Sequence, residues 1–586
     1  MKTRSNSSVA VSLTDPAALI QPLVLPDGRG PRHSVFRQQC PQLAALFASA
    51  GRLENVALVA IDYAKRDHRA LICNGGGDII AAAFSVRNDA AGVAFLRDAV
   101  SACIKRHGIA PQHVCFGGED EPAWVVNFLS TLHATGALVL RVNARDAKDQ
   151  RANNVASTDD LDLLGIAKCL ISRKARLISA ATMHEDEAAR RTHSLRDLMR
   201  QRRRLVFTQT AAQNQTHALV DRLCPGFLDD AKSGITAFGA ASLELMSERF
   251  SAQEISRRRV ESIAAVLQRN GMGAEDALVK AGQIQAIAKT ALPPALAQVP
   301  ALQRSLHSSV ELVRSLRAVI DDLEAAMADE LSYLPAALFT TLSGIGVVFA
   351  AALAAELGPR LHEQSFGSQC AYAGIVPRTA QSGGSESAAV QGAPTRRCNR
   401  ILKDYLVQAA SKQQMWGPPE FKNAFKQLKA DGQHAEFIIA RRLLRTLRVI
   451  HRTQAIYLPP ELRTIVNASI AGHERSATQT EALRTHYQAV FEKLCTKWTK
   501  GPDWQRFLGE DRVLGVSLRA ADSLLDLGLK WPQSKAIKAK AKKTAAKKTP
   551  KRAEPSKAAR TRAKSLSAPL SPTPGTKSAT ARAGPT

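Results

Sequence analysis

Four acidic residues, Asp62, Glu119, Asp159 and Asp162, occupy positions from which regular elements could gather them into one cluster. Asp62 ends the apolar run Val56-Ala-Leu-Val-Ala-Ile61, which reads as a buried strand. Glu119 follows a second short apolar run, Val114-Cys-Phe116, after two glycines. Asp159 and Asp162 are three residues apart at the start of a helical pattern, a spacing that puts both on one helix face. A lone aspartate at a strand end is usually a cap or a turn residue, whereas four acids from separate elements make a different chemistry available. Clustered carboxylates repel one another unless cations bind between them, and hard oxygen ligands suit Mg²⁺ or Mn²⁺. Two such ions about 4 Å apart can activate an attacking oxygen and stabilise a leaving one in phosphodiester cleavage. The cofactor expected from this chemistry is therefore Mg²⁺, with Mn²⁺ as its substitute.

The elements needed to position these acids are legible from periodicity. After a weakly patterned leader, residues 1–50, strands are predicted at 56–61, 68–73 and 78–86. A helix over 88–106, a strand at 114–116, a helix over 122–134, a strand at 137–142 and a helix over 159–172 follow. Three strands followed by alternating helix and strand is the order of an α/β domain with a mixed sheet, here residues 51–180. That order fits a ribonuclease-H-like (RuvC-like) architecture.

Beyond it the pattern becomes all-α. Residues 181–335 read as helical. Leu306, Val313, Ile320 and Met327 recur every seven residues, beside Leu302, Leu316 and Leu323, close to the seam of a coiled coil. Such a stripe could join two copies of the chain or pack within one. A third unit, 336–460, opens with Leu342-Ser-Gly-Ile-Gly346 and includes the basic amphipathic helix 436–454. A helical extension, 461–533, carries no readable motif.

Gly344-Ile-Gly346 between helices resembles a helix-hairpin-helix turn. Its glycines could let backbone N–H groups approach a phosphate, or serve only to permit a tight turn. Ser382 lies in the loop Gln381-Ser-Gly-Gly-Ser385 with Arg378, Arg396, Arg397 and Arg400 nearby. By composition alone the loop is a linker. The arginines could hold phosphates, although a charge cluster is more often a solvated face.

As a set, these segments resemble the DEDD transposases of bacterial insertion sequences, the family that includes the pilin-gene invertase. Ile61-Asp62-Tyr-Ala-Lys65 is similar to the family's first acidic motif, and Ser157-Thr158-Asp159-Asp160-Leu161-Asp162 to its Lys-Thr-Asp-x-x-Asp. Val114 to Asn127 resembles its strand–Glu–helix segment, with Glu119-Asp120-Glu121-Pro122-Ala123-Trp124 in place of the usual Glu-Pro-Thr-Gly-His-Tyr. Glu356-Leu-Gly358, Ala371-Tyr-Ala-Gly-Ile-Val-Pro-Arg378, Ser382-Gly383 and Trp416-Gly-Pro-Pro-Glu-Phe421 occur in the family's order. The resemblance spans roughly residues 55–455.

It implies that Asp62, Glu119, Asp159 and Asp162 hold metal, and that Ser382 is the nucleophile that joins covalently to cut DNA. It also implies element ends and target as DNA partners, and a structured guide RNA. Strand exchange needs cut ends held together, so a homo-oligomer, dimer or tetramer, is expected. A serine hydroxyl needs a base or metal to become a competent nucleophile. Ser382 would therefore have to meet the carboxylates, across subunits or on domain closure.

Composition agrees with a polyanionic partner. The chain has 80 Lys and Arg against 52 Asp and Glu, a net charge of +28. From Lys535 onward fifteen Lys or Arg face the single acid Glu554, a net of +14 in a Lys/Ala/Pro-rich segment. Such a segment, 534–586, buries too little apolar surface to offset its ordering entropy. It is expected to be a disordered tail, either merely solvated or binding phosphates through counterion release. No uninterrupted apolar run of about 18 residues points to a membrane span, and Met1 to Asp15 lacks a secretory signal's apolar core. Nine dispersed cysteines without a Cys-x-x-Cys pair read as buried small hydrophobes in a reducing compartment. A cytoplasmic, nucleoid-associated protein follows. Two competing readings remain: a junction-type nuclease that hydrolyses without a covalent intermediate, and a non-catalytic element remnant that binds DNA.

Overall fold

The computed structural model describes residues 40–120, 124–151, 158–179, 181, 186–246, 249–361, 364–380, 390–394, 398–498 and 505–531. Ser382, Arg396, Arg397 and the basic tail lie outside the described residues.

A mixed sheet forms first along the chain. Its strands are β1 Ala57–Asp62, β2 Asp67–Asn74, β3 Ile79–Arg87, β4 Val114–Glu119, β5 Leu138–Val142 and β6 Arg176–Leu177, in the spatial order β3-β2-β1-β4-β5-β6. β1, β4 and β5 run parallel, while β2, β3 and β6 pair antiparallel to their neighbours. The continuous burial of β1 follows from helices on both sides, as expected for central parallel strands. Ala57, Val59 and Ile61 face one core, with α2 (Ala90–His107) and α3 (Val126–Ala134). Leu58 and Ala60 face the other, with α1 (Pro41–Ala50), α4 (Ala144–Asp149) and α5 (Asp159–Ile171).

Three of these elements, α1, α4 and β6, depart from the sequence reading. The end of the leader is helical: Leu43, Leu46 and Phe47 of α1 bury against the sheet. The two-residue strand β6 closes the far edge.

The chain divides into two compact units, one comprising Met1–Arg204, Ile320–Thr499 and Asp503–Leu529, the other Leu205–Val319, Lys500–Pro502 and Lys530–Thr586. Within the second, Leu302, Leu306, Val310 and Val313 of the helix Val299–Ser332 are buried in a core with Val220, Leu223, Ile263 and Ile284. The heptad stripe is thus used for packing inside the chain, and this stretch of it presents no open seam to a second copy.

In the first unit, the region after residue 335 is built on helices Val347–Leu357, Arg400–Trp416 and Ala435–Thr453 around the buried turn Pro335–Thr341. The helix Glu187–Leu223 is pinned to it by charge. Arg200 forks onto Glu356 at 2.9 and 3.2 Å and Arg196 Nε donates to the Ala355 carbonyl, while Arg202 pairs with Glu324 of the helix Val299–Ser332. Glu356 is 1 % exposed, and Asn399 Nδ2 also donates to it at 2.7 Å, so its charge is fully engaged. Seven of the nine cysteines are buried and none is in a disulfide. Among the described residues no helix is long and apolar enough to cross a membrane.

Candidate functional site

β1 and β4 are parallel neighbours with Ile61 opposite Gly118, so Asp62 and Glu119 leave the sheet side by side at its carboxyl edge. Two glycines make this corner tight. A Cβ on Gly118 would lie 2.4 Å from the Ile61 carbonyl oxygen and from the Tyr63 ring. A Cβ on Gly117 would meet Leu170 of α5 at 2.7 Å, so the bare backbone lets α5 settle close over β4. α5 begins under a side-chain cap, with Thr158 Oγ1 accepting from Leu161 N and the Thr158 carbonyl accepting from Asp162 N. Asp159 and Asp162 sit in that first turn. Leu163, Ile166 and Leu170 bury along the helix and bring its start to the ends of β1 and β4.

The electrostatics record how near the acids are to one another. Burial, then Asp162 and Asp159, push the Asp62 carboxyl up to about 6. Burial, then Asp162 and Asp62, push Glu119 up to about 7. Glu119 Oε1 is buried with no hydrogen-bond partner. Opposing this, the Arg151 guanidinium pairs with Asp162, with side chains 11 % and 18 % exposed, and it lowers both Asp62 and Glu119. The corner is therefore short of positive charge, and its donors are hard oxygens, the chemistry that a divalent cation satisfies. Among the described residues, however, no group of three or more His, Cys, Asp or Glu is already drawn together as a metal cage.

Three residues that the sequence reading passed over shape this corner. Arg151 is one. His68, fully buried, accepts from Ala64 N through Nδ1 at 3.2 Å and lies edge-on to Tyr63 and Phe128, which fixes the turn after Asp62. Asn88 Nδ2 donates to the carbonyls of Lys65 and Trp124, tying the turn after Asp62 to the segment after Glu119. The signal for His68 was its place just ahead of the apolar run Ala70-Leu-Ile-Cys73. Asn88 offered none.

The remaining predicted residues lie in the second half. Gly344 has φ +86°, and a Cβ there would lie 2.6 Å from Gln413 Nε2, so conformation and space both require glycine. Gly346 caps the helix Val347–Leu357 with φ −95°, and a Cβ on it would meet nothing within 4 Å. Arg378 lies in strand β7 (Pro377–Ala380), paired with β8 (Val390–Pro394). Arg400 is exposed and opens its helix directly after the cap Asn399, whose Nδ2 also donates to the Tyr372 hydroxyl at 2.8 Å. A cavity of about 900 Å³ opens beside Asp120, lined by Arg141, Lys174, Arg176 and Tyr372 among others.

Two family models match the chain. One, of the DEDD type from IS110 elements and described as a transposase, covers residues 59–225. The other, described as transposase IS116/IS110/IS902 family, covers 336–426. In these two segments the chain is similar to IS110 family transposases. No curated protein matches the chain. All four carboxylates fall inside the first matched segment, while Gly344, Gly346, Arg378, Ser382, Arg396, Arg397 and Arg400 fall inside the second. Transposases are DNA-processing enzymes, so the similarity points to DNA as the partner, in keeping with the basic composition.

Proposed function

We propose that this chain is a transposase that cuts and exchanges DNA strands at a ribonuclease-H-like site formed by Asp62, Glu119, Asp159 and Asp162, with Ser382 as the group that attacks DNA. The observation that carries the reading is the meeting of two parallel strand ends with the first turn of α5, which brings acids from three elements to one corner of the sheet. The strand order and senses support the ribonuclease-H-like assignment.

Mg²⁺ or Mn²⁺ held by these carboxylates would supply charge neutralisation and activation of oxygen at the scissile phosphate. The chain's own contributions are separate. Asp62 and Glu119 provide carboxylates on rigid strand ends, α5 presents Asp159 and Asp162 together, and Gly117 and Gly118 keep the corner narrow. Lys174, Arg176 and the Tyr372 hydroxyl line a cavity beside Asp120 from which they would contact the DNA backbone. In the covalent step the Ser382 oxygen forms a phosphodiester bond as the 3′ or 5′ oxygen of the strand leaves with a proton, and the reverse attack by a strand end restores the serine. Guidance by a structured RNA, and a homo-oligomer that holds the cut ends, complete the reading.

The test is the intermediate itself. Element-end DNA incubated with Mg²⁺ and the full chain is expected to yield a denaturant-stable protein–DNA adduct, absent with Ser382→Ala. Strand cleavage that persists in Ser382→Ala without an adduct supports the hydrolytic nuclease instead. DNA binding that is Mg²⁺-independent and never leads to cleavage supports the non-catalytic remnant.

A further inference from the structure

The carboxylate corner already contains a cation, supplied by the chain itself. Its placement starts from a glycine in α5. A Cβ on Gly165 would lie 2.3 Å from the Ala147 carbonyl oxygen and 3.4 Å from Arg151 Cγ. The missing side chain lets α4 press against α5, and it leaves the Arg151 stem a path along the helix. Gly165 is three residues beyond Asp162 and so shares its face. The guanidinium consequently arrives at the Asp162 carboxylate, almost out of solvent, and close enough to favour the charged forms of Asp62 and Glu119.

A guanidinium is a broad, planar donor, whereas Mg²⁺ draws its oxygen ligands to about 2.1 Å. Carboxylates arranged around the former are not gathered for the latter, in keeping with the lack of a closed cage among the described residues. A carboxylate engaged by a guanidinium is a poorer ligand, so the two cations compete for Asp162. A guanidinium left among divalent ions would also be strongly repelled.

We propose that Arg151 is the resident counter-cation of the metal-free site, and that the Arg151–Asp162 pair and metal binding are mutually exclusive, so that loading the site expels Arg151. This inference rests on the carboxylates being the metal site. Its alternative is that the pair simply holds Asp162 in position for metal. The two make opposite predictions, because states that compete are linked reciprocally: what stabilises the pair weakens the metal, and removing the arginine strengthens it.

Calorimetric titration of Mn²⁺ into the DNA-free full chain separates them. Arg151→Met is expected to bind Mn²⁺ about tenfold more tightly than the unaltered chain, within the usual span of such couplings. Arg151→Lys, which keeps a cation, is expected to stay near the unaltered value. Weaker or unchanged binding by Arg151→Met overturns the proposal and leaves the metal site standing. No Mn²⁺ binding by any of the three chains overturns the metal site and this proposal with it. Should Arg151→Met fail to fold, the unaltered chain still decides the question. Phenylglyoxal modification of Arg151, read by peptide mass mapping, is expected to rise severalfold on Mn²⁺ saturation, and modification that stays constant or falls overturns the proposal.

Discussion

The two matched segments organise charge in contrasting ways. In the first, acids crowd a sheet edge, where burial and the neighbouring aspartates raise the proton affinity of Asp62 and Glu119, with Glu119 Oε1 left without a partner. In the second, the buried Glu356 is surrounded by donors, Arg200 and Asn399, that engage both its oxygens. Both place carboxylates on regular elements, yet one arrangement is satisfied and the other is strained by like charge. A satisfied buried acid holds a structure together, and an unsatisfied cluster is chemistry awaiting a cation.

The contrast can be broken most sharply at its satisfied end. Glu356→Ala leaves Arg200 and Asn399 without their acceptor and is expected to destabilise the first unit by about 2 kcal/mol. Denaturant unfolding measures this. Asp62→Asn, which relieves repulsion instead, is expected to leave stability unchanged or raise it. A loss of stability in Asp62→Asn equal to that in Glu356→Ala would erase the distinction.

The Gly344-Ile-Gly346 turn sharpens the comparison at a smaller scale. Gly344→Ala is expected to cost about 1–3 kcal/mol, because the residue must adopt φ +86° against Gln413. Gly346→Ala is expected to change stability by less than about 0.5 kcal/mol. If its bare backbone approaches a phosphate, Gly346→Ala weakens DNA binding with the fold intact. Fluorescence anisotropy with duplex DNA reads that directly.

A pH dependence is also expected in the second half. Burial lowers the Lys497 ammonium to about 8, while its Nζ donates to the Thr340 and Ile345 carbonyls. The folded chain therefore sheds this proton before the unfolded one does. The stability penalty of the buried charge is fully present below pH 8 and fades as pH rises from about 8 to 10.5, with a slope of at most about 1.4 kcal/mol per pH unit. Unfolding midpoints measured across that window are expected to rise more in the unaltered chain than in Lys497→Met.

What the sequence revealed follows the same division. β1, β4 and α5 were legible because burial on both faces writes an apolar run into each strand, and a cap followed by apolar spacing writes a helix. The acids at their ends were legible for the same reason. Arg151 was not, since its role arises from α4 packing against Gly165, a contact that no local pattern announces. The helix α1 was hidden inside a leader of loop-like composition, and β6 is too short to show alternation. The heptad stripe was read correctly as apolar, but a period alone could not say that Leu302, Leu306 and Val313 bury within the chain. Ser382 was singled out by resemblance and not by chemistry, because a serine in a Gly/Ser loop has no local signature.

One measurement bears most directly on the central claim that the sheet-edge carboxylates are the cleavage centre. Labelled element-end DNA is incubated with the full chain, Asp62→Asn and Asp162→Asn, with Mg²⁺ and with excess chelator. The account predicts strand cleavage by the unaltered chain with Mg²⁺ alone, and a loss on the order of a thousandfold in each variant despite retained folding and DNA binding. Cleavage that survives both substitutions, or that proceeds equally with chelator, would contradict it.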